Sequence, residues 1–272
     1  MPAPTLVFSH ANGFPAGTYK QLFKAWREAG YRVKAVERFG HDPRYPVTSN
    51  WPRLRDQLID FIDAEVGGPV DLVGHSLGGL LSLMVAIKRP DLARGLVMLD
   101  SPVFTGWRAH SVHMLKASGL MHRFSPAKVA QARRYEWPSR RAVAEHYGAK
   151  ALFARWHPQV LADYIACGTE RRHGKTVLAF DRDIEARIYD TLPHHLGLLL
   201  LRHPLRCPAA FIAGLRSPEV RTAGLATTRA LVGPRLHWID GSHLYPMEKP
   251  AETAALVLAL LREIEAANVE VT

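Results

Sequence analysis

Val70-Asp71-Leu72-Val73-Gly74-His75-Ser76-Leu77-Gly78-Gly79 is the stretch whose reading decides the fold. A short apolar run ends in Gly-His-Ser-Leu-Gly, and a helix-compatible run, Leu80 to Lys88, follows. The pattern G-x-S-x-G on a strand, a sharp turn and a helix holds a serine at the tip of a strained turn, its Oγ clear of the sheet. Gly74 and Gly78 lack the Cβ atoms that would collide where strand and helix approach. The Leu77 N–H then lies at a helix N-terminus, aimed at charge forming beside Ser76. Ser76 is therefore the candidate nucleophile.

Outward from this stretch, apolar strands alternate with helices. Thr5 to Ser9 reads as a buried strand, and Thr18 to Ala29 as a helix with Tyr19, Leu22, Phe23 and Trp26 on one face. Tyr31 to Glu37 is the next strand. A loop over Phe39 to Asn50 precedes a helix that Trp51-Pro52 opens and Gly67-Gly68-Pro69 stops. Gly95 to Leu99 is a further strand, ending at Asp100-Ser101-Pro102. The alternation breaks over Phe104 to His203, which is rich in Arg, Ala and His and reads as mainly helical. It resumes with a strand at Pro208 to Ala213, a helix over Pro218 to Leu231, a last strand at Arg235 to Ile239 and a C-terminal helix over Pro250 to Ala267. This order predicts an α/β fold: a mostly parallel sheet of about six strands flanked by helices. Residues 1–103 and 204–272 form the core, and 104–203 form an inserted helical cap.

Composition narrows the class. The chain has 272 residues, 47% of them hydrophobic, which suits one large globular domain or a domain with an insertion. Two cysteines, Cys167 and Cys207, are too few for a disulfide framework. No signal peptide or membrane-length apolar run stands out, so a cytoplasmic location without membrane contact is the expectation. The net charge is +10, and residues 104–203 hold 16 Lys+Arg against 8 Asp+Glu. No nucleic-acid motif accompanies that charge, so a solvated, arginine-rich helical surface is the reading rather than a polyanion site. Its arginines are scattered, among them Arg123, Arg133, Arg134, Arg140, Arg141, Arg155, Arg171 and Arg172. His194-His195 and His110-x-x-His113 lack a third ligand, so no metal is expected. Neither a phosphate loop nor a dinucleotide fingerprint occurs, so no cofactor is expected. The sequence leaves the oligomeric state open.

His10-Ala11-Asn12-Gly13, Gly74-His75-Ser76-Leu77-Gly78, Asp100 and Gly241-Ser242-His243 together resemble the α/β-hydrolase fold over nearly the whole chain. That family orders its triad Ser, acid, His along the chain. The resemblance implies Ser76 as nucleophile and His243, after the final strand, as general base. The acid departs from the commonest pattern. Ser217 stands after the penultimate strand where an Asp is usual, with Glu219 the carboxylate nearby. Asp100 matches members, among them certain esterases and haloalkane dehalogenases, that carry the acid after the earlier strand. It is the favoured assignment, with Glu219 the alternative. The resemblance further implies an oxyanion hole from the Leu77 and Asn12 N–H groups, although alignment on Gly13 would move the second donor to Phe14. Haloalkane dehalogenases and epoxide hydrolases use an Asp nucleophile, and Ser76 argues against both. Candidate pocket residues are His10, Phe14, His75, Trp107 and Tyr245.

The function expected is cleavage of small or medium carboxylic esters by a serine hydrolase whose partner is a small-molecule ester. C–C bond, lactone or thioester hydrolysis and perhydrolysis would share this triad. A binding protein on the same fold without turnover is the reading from another class.

Overall fold

A computed structural model of the chain describes residues 3–269; the ends of the expected core, 1–2 and 270–272, lie outside them. The strands are β1 (Thr5–Ser9), β2 (Arg32–Ala35), β3 (Val70–His75), β4 (Ala93–Leu99), β5 (Glu136–Trp137), β6 (Thr169–Arg172), β7 (Lys175–Leu178), β8 (Ala209–Gly214) and β9 (Leu236–Ile239). Six of them form one sheet in the order β2-β1-β3-β4-β8-β9. Every pairing in it is parallel.

β3 and β8 are buried along their whole length. Continuous burial is what a parallel strand with both faces covered requires, and it explains why these strands read as unbroken apolar runs. Helices α1 (Lys20–Glu28), α2 (Pro52–Glu65) and α3 (Leu77–Lys88) follow β1, β2 and β3. α1 buries Leu22, Phe23 and Trp26 against one face of the sheet; α2 buries Leu54, Leu58 and Ile62 against the other. Each fully buried leucine of this kind contributes roughly 1.5–3 kcal/mol.

The 104–203 segment carries α4 (Gly106–Ala117), α5 (Met121–Phe124), α6 (Ala127–Gln131), α7 (Arg140–Gly148), α8 (Pro158–Cys167), α9 (Arg182–Asp190) and α10 (Leu196–Arg202). It is not purely helical. β5, β7 and β6 form a separate three-stranded antiparallel sheet. The β6–β7 turn is His173-Gly174, both with positive φ (47° and 78°), the geometry of a two-residue hairpin turn matched to strand twist. The segment is tied to the core by the Trp51 indole, which donates to Ile188 O (3.1 Å) and Thr191 Oγ1 (3.0 Å). His157 N–H also donates to Met247 O (2.9 Å).

Beyond β8, the single helix expected over Pro218 to Leu231 is two, α11 (Pro218–Ala223) and α12 (Ala226–Val232). Gly224, at φ 72°, ends the first. After β9 come α13 (Tyr245–Glu248) and α14 (Pro250–Val269). α14 lays Val257, Leu260, Leu261 and Ile264 on the same sheet face as α1. Among the described residues, no helix is long and apolar enough to cross a membrane.

Candidate active site

Strand register assembles the site. β3 pairs with β4 so that His75 stands opposite Leu99, which sets Ser76 and Asp100 side by side just past the strand ends. β4 pairs with β8 with Leu99 opposite Ile212, and the Asp100 N–H donates to Ile212 O at 2.9 Å. All of this lies at the carboxyl edge of a parallel sheet, where ligand sites of such folds collect.

Ser76 has φ 54° and ψ −115°, a left-handed backbone that a non-glycine residue holds only under constraint. The constraint is crowding. A Cβ on Gly74 would stand 2.3 Å from Gly78 O, and one on Gly78 would stand 2.0 Å from Ser9 O. The elbow closes only because both are glycine. Leu77 begins α3, so its N–H has no carbonyl within the helix to bond.

His243 follows β9 on a loop braced by Glu248. The Glu248 carboxylate accepts from Ser242 N–H (3.0 Å) and from Ser242 Oγ–H (2.6 Å), and Leu244 N–H donates to Ser242 Oγ (3.1 Å). His243 Nδ1–H donates to Asp100 Oδ2 at 2.7 Å, which leaves Nε2 free to accept a proton. Glu219 Oε2 is 3.6 Å from the same nitrogen, outside hydrogen-bond range but close enough to act through charge. Burial alone would lower the His243 pKa. The Asp100 hydrogen bond and the charges of Glu219 and Asp100 outweigh it and raise the pKa above the ordinary histidine value.

Asp100 is 1% exposed. Its Oδ1 accepts from Gly214 N–H at 2.7 Å, and its Oδ2 accepts from Ser217 Oγ–H at 2.5 Å as well as from His243. Ser217 therefore occupies the usual acid position but acts as a donor to an acid on another strand. Ser217, Gly214 and Glu248 escape sequence reasoning; the Asp-to-Ser change after the penultimate strand is the one signal that pointed toward them. One ligand atom each of Asp100, Glu219 and His243 lies within 4.8 Å of the others, a grouping that could also hold a cation.

The loop after β1 brings the remaining residues. Asn12 is buried, and its amide Nδ2 donates to Glu185 O at 2.9 Å. Gly13 has φ 80° and lies against Glu185 and Arg133 of the inserted segment. His10 is fully buried: its Nδ1–H donates to Ala11 O (2.8 Å), and its Nε2 accepts from Phe39 N–H (2.9 Å). Burial holds its pKa down, to about 4, so the ring is neutral. Phe14 packs against the rings of Trp156 and Tyr164, both at 5.6 Å. His75 and Tyr245 are also fully buried, and Tyr245 Oη–H donates to Ile212 O at 3.0 Å. Trp107 lies 70% exposed at the start of α4. An apolar groove of about 710 Å³ opens elsewhere, between α4, α10 and α12, and Ser76, Asp100 and His243 do not line it.

The match to a family model decides the family. Residues 6–256 fit the alpha/beta hydrolase family. The chain belongs to that family. Within it, the chain is 25% identical over 237 residues to the sn-1-specific diacylglycerol lipase ABHD11 of Mus musculus, covering 84% of this chain and 70% of that one. It is 26% identical over 191 residues to a putative carbamate hydrolase, RutD, of Stutzerimonas stutzeri, covering 67% and 68%. An uncharacterized abhydrolase domain-containing protein of Dictyostelium discoideum is 30% identical over 106 residues, where this chain spans 38% of itself but 11% of the relative's length. Among solved structures, E-2-(acetamidomethylene)succinate hydrolase superposes with a TM-score of 0.75 at 21% identity, covering 95% and 91% of the two chains. The thioesterase domain from the curacin biosynthetic pathway does so with a TM-score of 0.70 at 17% identity, covering 94% and 91%. These last two likenesses concern the α/β-hydrolase fold alone.

Proposed function

We propose that this alpha/beta hydrolase is a serine hydrolase that cleaves small or medium carboxylic esters through an acyl-enzyme. The observation that carries the reading is the 2.7 Å Asp100–His243 hydrogen bond beside a serine held at the tip of a strained elbow. With Nδ1–H committed to Asp100, His243 Nε2 takes the Ser76 hydroxyl proton as Oγ attacks the ester carbonyl. The Leu77 and Asn12 N–H groups receive the oxyanion. His243 returns the proton to the leaving alcohol, then activates a water that splits the acyl-enzyme. Asp100 holds the imidazole tautomer and stabilises the imidazolium. Glu219 adds charge to His243 without bonding it. Residues 104–203 act as a cap over Ser76 that selects substrates, supported by their seat on Asn12 and Gly13. The substrate is a small molecule, in keeping with the lipase and carbamate hydrolase named among the relatives. A cytoplasmic setting is part of the proposal, and both cysteines carry free thiols.

The test is a fluorophosphonate probe with peptide mapping, alongside a panel of matched ester, thioester and lactone substrates. One label on Ser76 and fastest turnover of esters is expected. No label and no turnover would favour a binding protein on this fold. Labelling with a preference for thioesters or lactones would keep the triad and change the substrate class.

A further inference from the structure

His75 immediately precedes Ser76, and its ring is fully buried. Its Nε2 lies 2.9 Å from the main-chain oxygen of His243, and its Nδ1 lies 2.8 Å from Tyr19 Oη. Tyr19, also buried, sits in the turn before α1 and accepts the Ala11 N–H at 3.2 Å.

Donor and acceptor roles in this group follow from one fixed point. A carbonyl oxygen can only accept, so the proton facing His243 belongs to His75 Nε2. Burial first, then the neighbouring His243 charge, push the His75 pKa well below the ordinary histidine value, so the ring is neutral and carries that one proton. Its Nδ1 must then accept, and Tyr19 Oη–H must be the donor. The Tyr19 lone pair that remains receives the Ala11 N–H. The bonds therefore run in one direction, from Ala11 N–H through Tyr19 Oη–H and His75 Nε2–H to the His243 carbonyl.

This line joins three loops. Ala11 precedes Asn12, the second oxyanion donor of the reading above. His75 precedes Ser76. His243 is the base itself, gripped by its backbone while Asp100 grips its ring. We propose that Tyr19 and His75 are positioning residues that lock the His243 main chain and the Ala11-Asn12 peptide into one arrangement around Ser76. Neither touches substrate or exchanges a proton during turnover. The inference rests on the serine hydrolase reading and adds to it the means by which base and oxyanion loop keep a common register.

The experiment compares Tyr19→Phe, His75→Leu, His75→Gln and the Tyr19→Phe/His75→Leu pair by steady-state ester kinetics. Thermal melts and fluorophosphonate labelling accompany each. The Gln amide nitrogen falls near the place of His75 Nε2 and can restore the donor to His243. Tyr19→Phe and His75→Leu should each lower kcat, by up to about 100-fold, with KM nearly unchanged, since misplacing a catalytic group by about 1 Å has that effect. His75→Gln should recover most of the loss. The pair should be no slower than His75→Leu alone, because a line of bonds breaks only once. In the wild type, ¹⁵N spectra of the imidazoles should show the His75 Nε2–H tautomer unchanged across the range where free histidine titrates. Wild-type kcat in Tyr19→Phe and His75→Leu, additive losses in the pair, or losses that track unfolding in the melts would each overturn the proposal while leaving the serine mechanism standing. A wild-type protein that neither labels nor hydrolyses would overturn both.

Discussion

Two buried carboxylates, Asp100 and Glu185, are used in opposite ways. Asp100 is at the end of a central strand and accepts from a main-chain N–H, a serine hydroxyl and an imidazole. Glu185 is on α9 of the inserted segment, 5% exposed, and faces the Arg133 guanidinium at 2.5 Å. Arg133 in turn donates to Tyr164 Oη at 2.6 Å. The partner of Asp100 can gain and lose a charge near neutral pH, whereas the partner of Glu185 is a permanent cation. A carboxylate opposite an imidazole can steer a proton. One opposite a guanidinium can only clamp, and this clamp bears on Gly13, beside the proposed oxyanion donor. The difference teaches that burial and pairing alone do not separate a carboxylate placed to steer a proton from one that clamps; the titration range of the partner does.

Substitutions can break that contrast at either end. The largest effect is expected at Ser76, the proposed nucleophile. Ser76→Ala should lower turnover of p-nitrophenyl acetate by a factor on the order of 10⁴ to 10⁶, with far-ultraviolet circular dichroism unchanged. A near-wild-type rate would remove Ser76 from the mechanism. Asp100→Asn should follow, with a loss in kcat on the order of 10⁴, because an amide can hold the imidazole in the wrong tautomer. Glu219→Gln should leave kcat nearly intact. It should shift the rising limb of kcat/KM to lower pH: a negative charge that helps hold the His243 proton is gone, so the base is freed at lower pH. If Glu219→Gln proves the damaging change and Asp100→Asn the mild one, the acid lies after the penultimate strand.

The clamp should answer in stability rather than rate. Arg133→Met strands a buried carboxylate and should cost about 3 kcal/mol, read as a lowered urea midpoint, with less loss of kcat than Asp100→Asn. Arg133→Met/Glu185→Leu should regain most of that stability. A kcat loss matching that of Asp100→Asn in a stable protein would make the two carboxylates functional equals. The smallest effect concerns exposed arginines of residues 104–203. Arg123, Arg134, Arg140, Arg141, Arg155, Arg171 and Arg172 are all exposed. Added salt should therefore change kcat/KM weakly and alike for matched neutral and anionic esters. A steep fall confined to the anionic ester would reveal focused steering.

The sheet was legible because a strand buried on both faces must be apolar throughout, and the elbow because only glycines permit its closure. His243 was legible as a residue of the loop after the last strand, where its backbone meets His75 and its ring meets Asp100. The second sheet was not. Thr169-Glu170-Arg171-Arg172 is half exposed and strongly polar, so no apolar alternation announced it, although His173-Gly174 was a usable turn signal. Counting arginines as one solvated face also missed Arg133, since composition cannot tell a guanidinium beside Glu185 from one in water. Ser217 was conspicuous as a missing acid, but its bond to Asp100 crosses 117 positions of the chain, and no local pattern encodes that.

The backbone at Ser76 carries a consequence for heat resistance. Its φ of 54° is a conformation that glycine adopts without penalty and serine does not. Holding a non-glycine residue there costs on the order of 1–3 kcal/mol, while glycine's greater freedom in the unfolded chain returns roughly 0.5–1 kcal/mol of that. Ser76→Gly should consequently melt a few degrees above the wild type, at about 2–4 °C per kcal/mol for a chain of this size. Any programme that selects this protein for thermostability without also reading turnover would be drawn to that substitution, and would enrich a sturdier molecule without the proposed nucleophile.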